Sequence, residues 1–405
     1  MIFLSGANLK VDSLKFLKFE REILLIITHR KYNTSVKILF VTASYLPIVN
    51  GVSFQIDILR RAFEKRGHKV YILAPSFPGY KDSNKRIIRF PSLPNPFAKT
   101  YPLGIPLVSI NKLKRLKLDV IHTHHPFVFG QFASQVSEKL KIPLFFTAHT
   151  QYEMYLNYYF PKGKIITSYF LKRDLRKLSQ KCFKIIVPTT QTAERLKNLG
   201  INNLEVVNNG IENDFFQKPS QKNMKSPTLV YTGRLEREKD PLFLLKIAHE
   251  LRKLIPNFKF IIIGSGSLVN KLNEKIIANK LQGNVILAGE VNRSLLPDVY
   301  NATHLFVTAS TSEVMPLSII EAMACGVPVI GIKSSGLEDF VVGGKSGYLL
   351  EKNPKLITTE IYNILNNKGV FNKLSLTTFD YAKKYFASNS VKQLEKIYIE
   401  AIFGK

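Results

Sequence analysis

Short runs of β-branched and other apolar residues alternate along the chain with segments whose apolar residues recur at helical spacing. Near the start, the run Val36–Thr42 is followed by a helical pattern at Phe54–Arg66 and by a second apolar run at Lys69–Ala74. Continuous apolar runs of this length are typical of strands buried on both faces of a parallel sheet. The alternation of strand and helix therefore predicts βαβ units and an α/β fold.

The same pattern recurs in the C-terminal half, where a strand, a loop, a helix and a second strand follow one another. The strand is predicted at Leu305–Thr308 and the helix at Leu317–Ala324. Gly326 is a suitable residue to end that helix, Pro328 prevents its continuation, and the next strand is predicted over Val327–Ile332. The loop before the helix thus follows the carboxyl end of a parallel strand, where open α/β sheets bind ligands.

Two carboxylates mark this unit as a candidate binding site. Glu313 lies on the loop and Glu321 on the helix, eight positions later, which is a little over two helical turns. Carboxylates suit hydroxyl-rich ligands because their oxygens accept strong, charge-assisted hydrogen bonds. The spacing alone leaves a second interpretation open, in which Glu313 caps the helix and Glu321 belongs to a solvated face.

One stretch of the chain resembles a known family signature. It begins at Ser312-Glu313, continues through Pro316 and Leu317, and ends with the run Glu321-Ala-Met-Ala-Cys-Gly-Val-Pro-Val. It is similar to that of the family 4 retaining glycosyltransferases of group 1. Their GT-B fold consists of two Rossmann-like domains that face each other across a cleft. The resemblance extends from Val36 to the C-terminus. It implies that Glu313, with Pro316 and Leu317, faces the donor sugar and that Glu321 holds the nucleotide ribose. Pro316 departs from the glycine of many members and removes one backbone donor.

The resemblance also implies roles for five residues elsewhere. Arg234 and Lys239, in the segment RLEREKD that follows a strand at Thr228–Thr232, would grip the donor diphosphate. The backbone at Gly51 would approach the same diphosphate, Val291 would lie beside the base, and His149 would face the 6-hydroxyl of the sugar. The predicted catalytic set is therefore His149, Arg234, Lys239 and Glu313. Without the resemblance, RLEREKD could be a solvated loop and His149 a hydrogen-bonded loop histidine.

The family mechanism needs no covalent nucleophile, metal or cofactor, and the chain contains no Asp-x-Asp motif of the kind that holds a metal in the other common glycosyltransferase fold. His122, His124 and His125 could suggest a metal site. We do not favour one, because no carboxylate stands at ligand spacing to these histidines.

The domain organisation is predicted in four parts: an extension of unknown role at residues 1–35, an acceptor-side domain at 36–215, a nucleotide-sugar-binding domain at 216–380, and a helix at 381–405 that crosses back to the first domain. The extension lies outside the resemblance. Its apolar residues could form an amphipathic helix, or its start codon could be misplaced.

The chain has a formal net charge of +28, and residues 1–215 account for +19 of it, with 33 Lys and Arg against 14 Asp and Glu. Three explanations of this positive charge compete: binding to an anionic membrane surface, binding to a nucleic acid, or a compositional bias of the source organism. The sequence has no helix-turn-helix, zinc-finger or RNP pattern, so nucleic acid is not expected as a partner. The tyrosine-rich segment Gln151–Phe160 and the basic segment Lys162–Lys184 together predict an acceptor-side surface that rests on a bilayer, although a solvated amphipathic helix would have the same pattern.

The region His122–Phe160 is similar in character to diacylglycerol glucosyltransferases. We therefore expect transfer of glucose from UDP-glucose to a membrane lipid such as diacylglycerol. The alternative is a GDP-mannose-dependent mannosyltransferase that acts on a phospholipid or glycan. A hypothesis from another class is a basic nucleic-acid-binding protein whose sugar site is degenerate, but the chain retains both glutamates and both cations of that site. No run of residues reaches the length of a membrane span. The chain has only two cysteines, Cys182 and Cys325, and both are expected to be reduced thiols. The sequence therefore predicts a cytoplasmic protein that is peripheral to the inner membrane face.

Overall fold

The structure is a computed structural model that describes residues 35–48, 50–95, 102–149, 164–311, 313–334 and 336–404. The predicted extension, apart from Ser35, and the tyrosine-rich segment Gln151–Phe160 lie outside these residues. The described strands are β1 Lys37–Val41, β2 Lys69–Pro75, β3 Ile87–Phe90, β4 Val120–Thr123, β5 Leu144–Thr147, β6 Lys184–Val187, β7 Leu204–Val206, β8 Thr228–Thr232, β9 Lys259–Ile263, β10 Val285–Gly289, β11 Leu305–Thr308, β12 Val329–Ile332 and β13 Gly347–Leu350.

Helices follow most of these strands, and three helices close the chain. The described helices are α1 Gly51–Lys65, α2 Ile110–Lys114, α3 Val128–Leu140, α4 Lys164–Lys181, α5 Thr190–Asn198, α6 Pro241–Leu254, α7 Val269–Ala278, α8 Leu296–Ala302, α9 Leu317–Ala324, α10 Pro354–Leu365, α11 Lys368–Ala382 and α12 Ala387–Phe403.

The strands form two separate parallel sheets. The first has the order β3-β2-β1-β4-β5-β6-β7 and the second the order β10-β9-β8-β11-β12-β13. Neighbouring strands such as β1 and β4, or β8 and β11, are parallel, and their central residues are fully buried. The predicted α/β class is therefore confirmed, with one Rossmann-like domain around each sheet.

Helix α1 begins at Gly51, three residues before the predicted start at Phe54. A reciprocal cap explains the earlier start, because the Asn50 side chain accepts a hydrogen bond from the Ser53 backbone and Ser53 Oγ accepts one from the Asn50 backbone. Such a capping box satisfies two amide groups that the first turn of a helix leaves unpaired. Gly51 is thus fixed at the helix N-terminus.

Two further boundaries depend on tertiary contacts. The apolar pattern of Glu205–Ile211 favours a strand, but β7 ends at Val206, because the following loop pairs with the C-terminal segment: the Asn208 carbonyl accepts from Ser390 Oγ, and Ile211 bridges to Phe386. The helix predicted at residues 381–405 begins only at Ala387, because residues 381–382 are the end of α11. A 3-10 turn at Lys383–Tyr385 separates α11 from α12.

Helix α12 packs against the first sheet although it follows the second in sequence. Its buried residues Val391, Leu394 and Tyr398 share a core with Ile38 and Phe40 of β1. This apolar contact is supplemented by a buried carboxylate. Glu395 Oε2 accepts hydrogen bonds from Arg66 Nη2 at 2.6 Å and Nε at 2.8 Å, just after α1.

Replacing Glu395 with alanine should lower the free energy of unfolding by about 2–3 kcal/mol. Breaking a fully buried ion pair costs about 3–5 kcal/mol, and Arg66 is one-third exposed and can recover some hydration. The measurement is urea unfolding of Glu395→Ala against Glu400→Ala, an exposed glutamate on the same helix that should change stability by less than about 0.5 kcal/mol. Equal losses in the two variants would refute a stabilising role for the Glu395–Arg66 pair.

Candidate active site

The loops that follow β8 and β11 lie side by side at the carboxyl edge of the second sheet, because these strands are hydrogen-bonded neighbours. Lys239 belongs to a 3-10 turn in the first loop, and Glu313 stands on the second. Lys239 Nζ lies 2.6 Å from Glu313 Oε1, and only 13% and 14% of the two side chains is exposed. The fold thus joins two of the predicted catalytic residues into one largely buried ion pair.

The loop that contains Arg234 packs against two glycines that follow β9. A Cβ atom on Gly264 would lie 2.0 Å from the Gly233 carbonyl oxygen, and one on Gly266 would lie 2.4 Å from that of Leu235. Both glycines also have positive φ angles, which side chains disfavour. The close approach lets the Leu235 amide donate to the Ser265 carbonyl at 2.8 Å. These glycines therefore fix the backbone from which Arg234 projects.

Arg234 is half-exposed and pairs with Glu238 at 2.9 Å from its Nη2 atom. The Arg234 carbonyl accepts a hydrogen bond from the Tyr231 hydroxyl, whose pKa is raised by burial. A guanidinium on an anchored backbone and with half of its side chain exposed can meet an anion from solvent. The alternative of a solvated loop is wrong for Lys239, whose side chain is mostly buried.

The Glu313 loop is fixed by contacts from both domains. On one side, Gly336 packs so closely that an added Cβ would lie 1.7 Å from the Glu313 carbonyl oxygen. On the other, the Asn209 backbone amide lies 3.2 Å from Met315 Sδ and its side-chain amide donates to the Met315 carbonyl at 3.3 Å. Pro316 then precedes α9 with extended backbone and makes no side-chain cap.

Glu321 is buried on α9, with 4% of the residue exposed. Its Oε1 atom accepts hydrogen bonds from Arg293 Nε at 3.2 Å and Nη2 at 2.5 Å. Burial raises the pKa of the Glu321 carboxyl, and the charge of Arg293 opposes that rise. The interpretation of Glu321 as a residue on a solvated face is therefore wrong.

Arg293 is a site residue that the sequence reasoning missed. It lies two positions after the half-buried Val291, in a 3-10 turn that the Asn292 side chain caps. Its partner Glu321 is 28 positions away, so no local spacing connects the two. The sequence does offer one signal, which is the position of Arg293 after the carboxyl end of a parallel strand, β10, where ligand-contacting residues accumulate.

His149 follows β5 and hydrogen-bonds to another histidine, with 2.8 Å between its Nε2 and His124 Nδ1. His122 lies on the neighbouring strand β4, where Nδ1 meets the Tyr398 hydroxyl at 2.5 Å and Nε2 meets Thr147 Oγ1 at 2.6 Å. Burial lowers the pKa of His122 and of His149 to about 3 and that of His124 well below its usual value, so these rings are neutral. In the described part of the chain, no three His, Cys, Asp or Glu side chains are grouped as a metal site requires.

Gly51 has no packing reason to be glycine. A Cβ atom added to it would meet no atom within 4 Å. It stands at the N-terminus of α1, whose unpaired amides and dipole favour an anion. Open space before a helix N-terminus is what the approach of a diphosphate would require.

Two family models match consecutive parts of the chain. Residues 49–215 match the model described as Glycosyltransferase Family 4, and residues 212–384 match the model described as Glycosyl transferases group 1. Together the matches cover most of the chain, and the protein belongs to this family of glycosyltransferases. The predicted family and the predicted glycosyltransferase class are confirmed.

Individual relatives refine the comparison. The chain is similar to an alpha-monoglucosyldiacylglycerol synthase of Acholeplasma laidlawii, with 29% identity over 89% of this chain and 96% of the relative. It is also similar to a GDP-mannose-dependent alpha-mannosyltransferase of Corynebacterium glutamicum, with 25% identity over 78% of this chain and 76% of the relative.

Among solved structures, the fold is similar to the pneumococcal O-GlcNAc transferase GtfA in complex with UDP and GlcNAc. The TM-score is 0.70 at 14% identity, over 91% of this chain and 99% of that structure. This likeness confirms the predicted GT-B fold. None of the helices in the described part of the chain combines the length and the apolar composition that a membrane span requires.

Proposed function

We propose that this glycosyltransferase moves glucose from UDP-glucose to diacylglycerol with retention of anomeric configuration and without a metal. The observation that supports a nucleotide-sugar donor is the ion pair between Glu313 and Lys239, which lies on the same loop as Arg234. This arrangement places cations next to a carboxylate at the edge of the second sheet. The full-length similarity to an alpha-monoglucosyldiacylglycerol synthase supports glucose and a diacylglycerol acceptor. The UDP in the complex of the structurally similar O-GlcNAc transferase supports a uridine donor.

In this proposal the donor binds residues 216–380 and the acceptor approaches from residues 36–215. Arg234 and Lys239 bind the diphosphate, and the Gly51 backbone at the N-terminus of α1 approaches it from the other domain. The remaining donor contacts are those of the base to Val291, the ribose to Glu321, and the sugar to Glu313, Pro316 and Leu317.

The reaction breaks the bond between the anomeric carbon of the sugar and the phosphate oxygen. Negative charge then develops on the departing diphosphate, and preorganised donors aimed at such a charge contribute about 2.7–4 kcal/mol each. Arg234 offers a bidentate fork and Lys239 a compact charge. The hydroxyl oxygen of the acceptor attacks the face from which the diphosphate leaves, and its proton passes to the leaving phosphate oxygen.

His149 and Glu313 would act on the sugar itself. Because Nε2 of His149 already meets His124 Nδ1, the Nδ1 atom of the neutral His149 ring is the one that would donate or accept a hydrogen bond with a sugar hydroxyl. Its bond to His124 holds the ring in place. Glu313 is kept in position by Lys239, so the same lysine would serve the sugar-binding carboxylate and the diphosphate.

Helix α4 supports a membrane-bound acceptor. It carries the exposed aromatic residues Tyr169 and Phe170, and Arg173 lies 4.7 Å from the Phe170 ring centre. Lys177 and Lys181 follow on the same helix. Aromatic and basic side chains together favour the interface of an anionic bilayer, where each Lys or Arg contributes about 1 kcal/mol. We therefore place the enzyme at a cytoplasmic membrane surface.

A GDP-mannose-dependent transferase is the second candidate. The similarity to the mannosyltransferase of Corynebacterium glutamicum favours it, because that relative also aligns over three-quarters of both chains. Arg234, Lys239 and Glu321 would serve either donor, since both donors contain a diphosphate and a ribose.

Transfer of radiolabelled sugar into lipid distinguishes these candidates. Purified protein would be incubated, with and without EDTA, with UDP-glucose or GDP-mannose and vesicles that contain diacylglycerol and either anionic or neutral carrier lipid. We expect lipid-soluble label from UDP-glucose and a higher rate on anionic vesicles. The lipid product would be analysed by NMR for the configuration at the anomeric carbon.

Each other result has a distinct meaning. Label from GDP-mannose alone would replace the first candidate by the second. Hydrolysis of UDP-glucose without labelled lipid would retain the donor and reject diacylglycerol. Loss of activity in EDTA would contradict the metal-independent mechanism.

A further inference from the structure

The Arg293 side chain is held by two carboxylates and two aromatic rings. Besides its bonds to Glu321, its Nη1 atom donates to Glu212 Oε2 at 3.1 Å. Its guanidinium carbon lies 4.7 Å from the ring centre of Phe54 and 5.0 Å from that of Phe215. Cation–π contacts and charge-assisted bonds thus fix the guanidinium on several sides at once.

These contacts extend from the second domain to helix α1 of the first. Phe54 is in the first turn of α1, close after Gly51. Glu212 Oε1 also lies 3.5 Å from Arg61 Nη1, and Arg61 Nε lies 2.7 Å from Asp57 Oδ2. The proposed ribose carboxylate is therefore connected, through Arg293, to the helix whose N-terminus would face the diphosphate.

Among the residues that the structure describes, Arg293 is the positive charge that opposes the protonation of Glu321. The ionisable groups that act on it are Arg293 after β10, Glu212 in the segment between the two sheets, Tyr300 on α8 and Cys325 at the end of α9. Burial raises the pKa of Cys325 to about 12 and that of Tyr300 above its usual value, so both are neutral. Burial and Glu212 favour the protonated form of Glu321, and Arg293 favours the ionised form.

We propose that Arg293 is a positioning residue for the nucleotide-sugar donor, which keeps Glu321 ionised and oriented and joins it to α1. The inference rests on the proposed function, in which Glu321 accepts hydrogen bonds from the ribose. An ionised carboxylate is acceptor-only and suits two ribose hydroxyls, whereas a protonated one would also have to donate. Both Arg293 bonds reach Oε1, so Oε2 is the atom that we expect to receive a donor hydroxyl.

The test is the pH dependence of KM for UDP-glucose in the full chain, with Arg293→Gln and Arg293→Lys compared with the wild type. In Arg293→Gln the pKa of Glu321 is expected to rise, so KM should be severalfold higher at about pH 6 than at about pH 8.5, because the protonated fraction of Glu321 falls as the pH rises. The wild-type KM should be nearly constant over this interval. Arg293→Lys should restore most of that constancy because it retains the charge, while kcat should change less than KM.

Two further variants separate charge from packing. Arg252→Gln removes a partly buried arginine of the same domain that donates to the Asn279 carbonyl, and its KM should stay independent of pH. Glu321→Gln imitates the protonated acid and should show a raised KM without pH dependence. If Arg293→Gln fails to fold, Arg293→Lys and Glu321→Gln still test the inference. A wild-type KM in Glu321→Gln would overturn it.

The outcomes distinguish this inference from the proposed function. An active wild type with a pH-independent rise of KM in Arg293→Gln would overturn the role of Arg293 and leave the donor site intact. A wild type that neither binds nor turns over a nucleotide sugar would refute the proposed function, and the role of Arg293 with it.

Discussion

Arg234→Ala is expected to lower kcat by about two to three orders of magnitude while leaving the fold intact. The guanidinium would meet the diphosphate as it gains charge, and the loss of one such preorganised donor costs about 10²–10³ in rate. Its side chain is half-exposed and pairs with Glu238 on the same loop, so its removal leaves no large cavity. The loss should therefore appear in kcat and not in stability.

The measurement is steady-state transfer from UDP-glucose, combined with thermal unfolding. Arg237→Ala is the matched control, because Arg237 is an exposed arginine of the turn that contains Lys239. We expect it to keep at least about a third of the wild-type kcat, as surface substitutions away from a site have small effects. Comparable kcat values for the two variants would refute the role proposed for Arg234.

The central strands of both sheets were predictable because a parallel strand in the middle of a sheet is buried on both faces. The runs at β8 and β11 agree with the structure at both ends, as does α9 between its loop and Gly326. Prediction was less successful where tertiary contacts decide the outcome. The loop after β7 is held by α12, nearly two hundred positions later in the chain, and no local pattern reports such a contact.

The residues of the candidate site were also predictable only in part. Lys239 and Glu313 are 74 positions apart, and only the family resemblance suggested that they act together. Arg293 was missed because its role depends on the burial of Glu321 and on Phe54 of the other domain. A sequence motif records which residue types recur, whereas the charge environment of a buried carboxylate becomes visible only in the folded structure.

Gly336→Ala is expected to lower kcat by about a hundredfold, although this residue lies outside the predicted catalytic set. The new methyl group would lie 1.7 Å from the Glu313 carbonyl oxygen, a distance that forces the backbone of the loop to move. The movement would separate Glu313 from Lys239, and a displacement of about 1 Å at a reacting centre can cost about 10²-fold in rate. Overpacking should also lower the stability by about 1–3 kcal/mol.

Gly343→Ala provides the control, since its added Cβ would meet its nearest neighbour, Tyr348 Cδ1, only at 4.0 Å. Transfer rates and urea unfolding of both variants would be compared with the wild type. A Gly336→Ala protein that is destabilised but retains the wild-type kcat would show that the loop can move without consequence for Glu313. We expect a large loss of kcat in Gly336→Ala and near-normal turnover in Gly343→Ala. Because the two substitutions add the same methyl group to the same domain, this result would show that the contact between Gly336 and Glu313 is required to position the carboxylate.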